Sequence, residues 1–210
     1  SRPTLREALR RLEEWRMIET RRGSGIIVRD RQEWSLQVLP TYVAQSLRAP
    51  GPDLRRMIDE ILALRGHVYT EVLRLISDRA PDLSNARAKL EKAWAARREP
   101  TVFLRHDFDI LRSLLAASGT LPALWLLNDI ADVYLPLATL LGPAALPRAD
   151  YHRAYSRMLD ALERGDGEAA AQSLTAYLER KDQDLLTAIA PPKIPSRSTT
   201  DRGDAHEHAQ

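Results

Sequence analysis

Apolar residues recur at helical spacing through nearly all of the chain between residues 53 and 190. In the first segment, residues 53–79, they form one continuous stripe: Leu54, Ile58, Ile61, Val68, Val72 and Ile76. Five more helices are predicted between breaks rich in proline or glycine, over residues 83–98, 101–117, 121–141, 149–163 and 168–189. No strand pattern follows residue 28. The fold class is therefore mainly α, with an antiparallel bundle of about six helices.

The first 28 residues predict a basic helix followed by a β-hairpin. Apolar side chains at helical spacing define one face of the helix: Leu5, Ala8, Leu9 and Leu12. Arginines at intervals of four define another: Arg2, Arg6 and Arg10. Strand-like residues 18–22 and 26–28 flank the turn Gly23-Ser24-Gly25, beside which lie Arg21 and Arg22. A solvated surface helix explains the first pattern alone, but a basic helix followed by a basic hairpin is typical of winged-helix DNA binding.

Charge and composition restrict the function classes. Residues 1–31 hold nine Arg and five Asp or Glu, whereas the remainder holds 22 Lys or Arg and 24 Asp or Glu. The positive charge thus lies on the proposed DNA-binding piece. The chain has no cysteine, and no nucleophile motif, glycine-rich phosphate loop or metal-spaced histidine pair, so an enzyme is not expected. We expect no segment to be long and apolar enough to span a bilayer, which predicts a cytoplasmic protein without a membrane partner.

The N-terminal pattern resembles a known family. SRPTLREALRRLE followed by ETRRGSGIIV is similar to the second half of the DNA-binding domain of GntR-type bacterial transcription regulators. That domain has two more helices before this point, so we expect the sequence to be a trimmed piece that binds DNA poorly by itself. The resemblance implies double-stranded DNA as a partner. The predicted DNA-binding residues are Arg2, Thr4 and Arg6 on the helix and Arg21, Arg22 and Gly23 on the wing.

Four parts are predicted along the chain. They are a partial winged-helix domain over residues 1–30, a linker helix over 31–52, an all-α effector-binding and dimerisation domain over 53–190, and a disordered tail over 191–210. Pro40 is expected to kink or interrupt the linker helix. This layout, together with the segments Asp107–Arg112 and Ala161–Asp166, resembles the FadR branch of the GntR regulators. The resemblance implies a homodimer whose operator affinity a small-molecule effector controls.

The same resemblance bears on metal binding. Many members of the branch hold a divalent metal with one Asp and three His inside the bundle. Asp107 corresponds to that Asp, but the histidine positions correspond to Leu111, Tyr155 and Tyr177. Leucine cannot ligate a metal and neutral tyrosine is a poor substitute for imidazole. We therefore predict no metal and no other cofactor.

Without those histidines, the bundle resembles the members of the branch that respond to acyl thioesters. The predicted effector is an acyl thioester or another organic acid, and its predicted binding residues are Arg65, Asp107, Tyr134, Tyr155 and Tyr177. Independently, Arg65 and Asp107 interrupt apolar rows, where an unpaired charge is costly. Either these two residues pair with each other, or Arg65 faces an anionic or carbonyl-bearing effector with the tyrosines as hydrogen-bond donors.

The predicted function is that of a DNA-binding transcription regulator under effector control. The alternative is a helical ligand-binding or scaffold protein without a DNA-binding function. Binding to DNA that weakens steeply with salt would separate the two. The sequence leaves open the identity of the effector, the operator sequence, and the choice between repression and activation.

Overall fold

The N-terminal elements are a helix and a two-stranded hairpin. A computed structural model describes residues 1–48, 52–79 and 81–189. Helix α1 (Arg2–Glu14) precedes strands β1 (Ile18–Arg21) and β2 (Gly25–Val28). The strands pair antiparallel, with Arg21 opposite Gly25. Gly23 and Gly25 have φ of +81° and +82°, values that favour glycine because it lacks a Cβ. The predicted helix and hairpin are confirmed.

The linker differs from its prediction. It begins with two short 3₁₀ turns, Arg31–Glu33 and Leu36–Val38, and continues as α2 (Leu39–Ser46). Pro40 lies in the first turn of α2, where its missing N–H has no intrahelical partner to lose. The expectation that Pro40 kinks or interrupts the linker helix is therefore wrong, because the proline starts this helix. The predicted break at residues 49–51 lies outside the described residues.

The described part of the chain between residues 52 and 189 contains six α-helices. They are α3 (Pro52–Ser77), α4 (Ser84–Ala95), α5 (Pro100–Ala117), α6 (Leu121–Leu141), α7 (Tyr151–Glu163) and α8 (Gly167–Ala188). Helix α3 packs on α8, α4 on α5, α5 on α6 and α7 on α8. The mainly α fold class is confirmed. The predicted tail over residues 191–210 lies outside the described part of the chain.

Two apolar clusters form in the interior. The main core includes Leu73, Phe108 and Leu162. A second group, the linker-side cluster, consists of Leu39, Val43, Leu54, Ile58, Leu62, Val133, Leu137, Leu185 and Leu186. Leu39 and Val43 belong to α2, so the linker is packed into the bundle through this second cluster.

Helix α6 is more apolar than the sequence analysis expected of any segment. Together with the following turn, residues 121–145 have a mean hydropathy of 1.3 and are long and apolar enough to cross a bilayer. The statement that no segment could do so is therefore wrong. Length and composition do not separate a membrane span from a bundle helix. Here α6 packs against α2 and α5, and its exposed side carries Asp129 and Asp132.

The close approach of α3 and α8 supports a prediction about stability. A Cβ added to Gly167 would lie 2.3 Å from Ser77 Oγ and 3.1 Å from the Arg74 Cα. We expect Gly167→Ala to destabilise the protein by about 1.5 kcal/mol, because backbone atoms must move to relieve the contact. Urea unfolding measures this difference.

Gly66 provides the matched control. It lies inside α3, and a Cβ there would meet nothing within 4 Å. Gly66→Ala should therefore stabilise the protein by about 0.5–1 kcal/mol, because glycine is a poor helix former. Equal effects of the two substitutions would contradict the predicted clash at Gly167.

Candidate effector cavity and DNA-binding face

A cavity of about 210 Å³ lies between the main core and the linker-side cluster. Its walls come from α3, α5, α6, α7, α8 and the linker. Leucine, isoleucine, valine and phenylalanine side chains make up most of the surface, and the charged residues that reach it are Arg65, Asp107, Lys181 and Asp182. An apolar cavity with a few converging polar groups is the usual form of a small-molecule site.

The five residues predicted to bind an effector all line this cavity. They are Arg65 from α3, Asp107 from α5, Tyr134 from α6, Tyr155 from α7 and Tyr177 from α8. Their role in binding stays a prediction. Sequence reasoning missed four further polar residues of the wall: Tyr69, Tyr151, Lys181 and Asp182. Asp182 could have been identified from the sequence, since it interrupts an apolar row of α8.

Arg65 forms an ion pair with Asp182. Arg65 Nη2 donates to Asp182 Oδ1 at 2.6 Å, and the two side chains are 19% and 18% exposed. The expected alternative, a pair between Arg65 and Asp107, is therefore wrong. Burial lowers the pKa of Arg65, but the combined effects of Asp182, Tyr134 and Tyr69 outweigh burial, and the pKa ends above its ordinary value. Arg65 is thus a charged group whose first partner belongs to the protein itself.

Asp107 is a second, partly buried carboxyl group of the cavity wall. Tyr151 donates its hydroxyl hydrogen to Asp107 Oδ1 at 2.7 Å. Burial raises the pKa of Asp107, and hydrogen bonds from Tyr151 and Tyr155 oppose that rise. Among the described residues, no cation forms an ion pair with this carboxyl. Burial and the nearby Asp107 raise the pKa of Tyr151, so the phenol stays protonated and able to donate.

The raised pKa of Asp107 leads to a prediction about pH. The folded state retains this proton to a higher pH than the unfolded chain does, so stability falls as pH rises between the two pKa values. Asp107→Asn keeps an acceptor for Tyr151 and removes the ionisation. Its stability relative to the wild type should rise with pH from about 4 upwards. Thermal melts across this range measure the difference, and a constant difference would contradict the prediction.

The residues around Asp107 do not fit a metal ion. The four positions compared with metal ligands, Asp107, Leu111, Tyr155 and Tyr177, do line one cavity. However, in the part of the chain that the structure describes, no group of three or more His, Cys, Asp or Glu side chains could hold a metal. The tyrosines pack as rings, with the centroids of Tyr151 and Tyr155 4.3 Å apart. We therefore derive no role for a metal.

The predicted DNA-binding residues lie on an exposed surface at the N-terminal end. Arg2, Thr4 and Arg6 of α1 are exposed, as are Arg21, Arg22 and Gly23 of the hairpin. Glu19 binds the Arg21 guanidinium, with Nε to Oε1 at 2.8 Å. No residue of α1 is buried, and Leu5 of its apolar face is 61% exposed. The structure thus leaves these six residues accessible to a partner, and their contact with DNA stays a prediction.

A short hydrogen-bonded segment connects this surface to the cavity. The Ser35 amide donates to Trp15 O at 2.9 Å, at the end of α1. Trp34 Nε1 donates to Arg29 O at 3.2 Å, just after the hairpin. Leu36, which follows Ser35, lines the cavity together with Leu39. The linker therefore contacts the N-terminal elements through Ser35 and the cavity through its neighbour.

The fold is a helical bundle around an apolar cavity, joined to a helix-and-hairpin piece. The FCD domain matches residues 60–180. An uncharacterized HTH-type transcriptional regulator of Mycobacterium bovis is 26% identical to this chain over 191 residues, covering 90% of this chain and 78% of the relative. The HTH-type transcriptional regulator Mce2R of Mycobacterium tuberculosis gives the same values.

Solved structures agree with this fold. A GntR transcriptional regulator from Rhodococcus sp. RHA1 matches with a TM-score of 0.54 and 22% identity, covering 90% of this chain and 81% of that one. The Streptococcus agalactiae GntR matches with a TM-score of 0.52 and 19% identity, covering 87% and 82%. The chain belongs to the FCD domain family, the C-terminal effector domain of GntR-type transcription regulators. The family resemblance seen in the sequence is confirmed.

Proposed function

We propose that this chain binds a small organic acid in its bundle, and that occupancy of the cavity controls operator binding by α1 and the hairpin. The observation that carries the proposal is the position of the cavity. Its wall includes Leu36 and Leu39 of the linker together with the buried charges of the bundle. A ligand there touches both the helical domain and the segment that leads to the predicted DNA-binding surface.

The size and charge of the cavity favour a small acid. Its volume of about 210 Å³ lies below the roughly 300–1,000 Å³ usual for drug-sized ligands. An organic acid, or the acyl part of a thioester, suits this volume better than a thioester with its whole carrier. Arg65 and Lys181 both line the cavity, and Arg65 pairs with Asp182. Burial lowers the pKa of Lys181, so an anionic ligand would stabilise its charged form.

The DNA-binding side of the proposal has two supports. The relatives in both mycobacteria are named HTH-type transcriptional regulators, and the exposed arginines of α1 and the hairpin form a basic surface. A cytoplasmic homodimer would present two such surfaces to a two-fold-related operator. The acid changes operator affinity only if it binds one arrangement of the two surfaces better than the other.

Two measurements test the proposal. Titration calorimetry of this chain with straight-chain carboxylates should give saturable binding. A gel shift of the complete gene product with operator DNA should show salt-steep binding that the same acid changes. Absence of calorimetric binding for every acid would overturn the effector class. Absence of salt-steep DNA binding by the complete gene product would favour the alternative of a ligand-binding protein without a DNA-binding function.

Lys181→Met tests the anion site more directly. Lys181 Nζ donates to Ala144 O beside the cavity, and the substitution keeps an apolar stem of similar length. Acid affinity should fall about tenfold, because a charge-assisted hydrogen bond to the carboxylate is lost. Calorimetry with the acid and with the alcohol of equal length measures the difference. Similar losses for both ligands would mean that Lys181 only shapes the wall.

A further inference from the structure

We infer that the apolar tail of the effector, rather than its acidic head, acts on the linker, so that tail length sets the response. This inference rests on the proposed effector function and adds the orientation of the ligand. It predicts that binding and response can be separated: a short acid occupies the cavity without moving the linker, and a longer acid does both.

The two ends of the cavity differ in polarity. The end that adjoins the main core carries the hydroxyl and carboxyl groups of Tyr151, Tyr155, Tyr177 and Asp107. The end that belongs to the linker-side cluster is lined by aliphatic side chains: Leu39, Ile58, Leu62, Val133, Leu137 and Leu185.

The ion pair of Arg65 and Asp182 lies at the boundary between these ends. Asp182 is on α8 between Leu178 of the main core and Leu185 of the linker-side cluster. Arg65 is likewise on α3 between Leu62 of the linker-side cluster and Leu73 of the main core. An acidic head would be desolvated without a partner among the aliphatic side chains, whereas Arg65 and Lys181 can receive it at the boundary. The tail then extends towards the linker.

The linker wall lies where that tail ends. Leu36 is 54% exposed, so the cavity reaches the protein surface at this residue. Leu36 follows Ser35, whose amide is hydrogen-bonded to Trp15 O of the N-terminal piece. A tail that reaches Leu36 and Leu39 contacts this segment directly, and a shorter tail stops among α3, α6 and α8.

Affinity and response should therefore depend on tail length in different ways. Each buried methylene should raise affinity about fourfold as long as it enters the aliphatic end. Leu36 and Leu39 move only if the tail binds one position of the linker more tightly than another. An effector shifts an equilibrium between two states only by the difference in its affinity for them. Affinity should thus grow gradually with length, and the linker response should begin at a threshold.

Two single-tryptophan variants can measure this. The chain has four tryptophans. A variant with Trp15, Trp94 and Trp125 changed to Phe retains Trp34, which lies next to the linker wall. A second variant retains only Trp94, whose ring stacks on Tyr151 at 6.3 Å near the polar end. Each is titrated with straight-chain acids from butanoate to dodecanoate, and calorimetry measures binding in parallel.

We expect every acid that binds to change Trp94 fluorescence, and only acids beyond a threshold length to change Trp34 fluorescence. A Trp34 response to the shortest bound acid, or no response to the longest, would overturn the inference while leaving the effector class intact. If calorimetry detects no binding by any acid, both the proposed effector and this inference are wrong.

Leu36→Phe provides an independent check. The larger ring fills the tail end, so the Trp34 threshold should move to shorter acids and the longest acids should bind at least fourfold more weakly. Leu121→Phe is the matched control, because Leu121 is 52% exposed at the start of α6 and is not part of the cavity wall. Equal thresholds in these two variants would contradict the assigned position of the tail.

Discussion

Replacement of Asp182 by alanine is expected to destabilise the protein by about 3 kcal/mol, because it leaves the Arg65 guanidinium in the cavity without its counter-ion. The two groups are joined at 2.6 Å and are less than one-fifth exposed. This partial exposure places the cost at the low end of the range for buried pairs. In a chain of this size the melting temperature should fall by roughly 10 °C. Urea unfolding and thermal melts measure the two quantities.

A double variant separates the contribution of the ion pair to stability from the cost of leaving one charge without its partner. Arg65→Met with Asp182→Leu removes both charges and keeps apolar volume, so its stability should lie within about 1 kcal/mol of the wild type. A carboxylate ligand should also stabilise the Asp182→Ala variant more than the wild type, because it supplies the missing anion next to Arg65. If the single variant loses less than about 1 kcal/mol, Arg65 has found water and does not depend on Asp182.

The helices were predictable from the sequence because each helix ends at nearby residues that interrupt helical structure. Proline and glycine separate the bundle helices, and the observed ends of α5 and α6 agree closely with the expected ones. The hairpin was predictable because its turn contains the glycines that positive φ angles favour. Pro40 was misread because a proline can either break a helix or begin one. Only the structure decides between these for the linker, because it shows that α2 begins at Leu39 with Pro40 in its first turn.

Five polar residues of the cavity wall were predictable, but the ion pairs and hydrogen bonds that they form were not. Helical spacing indicates that Arg65 and Asp107 face inwards, whereas the tyrosines came from the family resemblance. Neither source gives the axial register between α3 and α8, which places Arg65 beside Asp182, 117 residues further along the chain. Long-range packing sets that register. The same limitation applies to Tyr151, whose bond to Asp107 depends on how α7 lies against α5.

The largest effect on DNA binding is expected for Arg6→Ala in the complete gene product. Affinity for the operator should fall by about 1–3 kcal/mol if Arg6 reads a guanine. Arg6 is exposed on α1, and among the described residues no carboxylate forms an ion pair with it. Its charge is therefore available to a base edge or a phosphate. Gel shifts at several fixed salt concentrations measure the change in affinity and in salt dependence.

Arg10→Ala is the matched control, since Arg10 lies one turn further along the same helix. Its guanidinium is bound by Glu7 at 2.7 Å and also by Glu14, so less of its charge is available to DNA and its loss should weaken binding less. A base contact by Arg6 should relax sequence preference, whereas a phosphate contact should reduce the salt slope by about one. If Arg6→Ala keeps full affinity at fixed salt and Arg10→Ala loses it, α1 meets the operator with a different set of side chains.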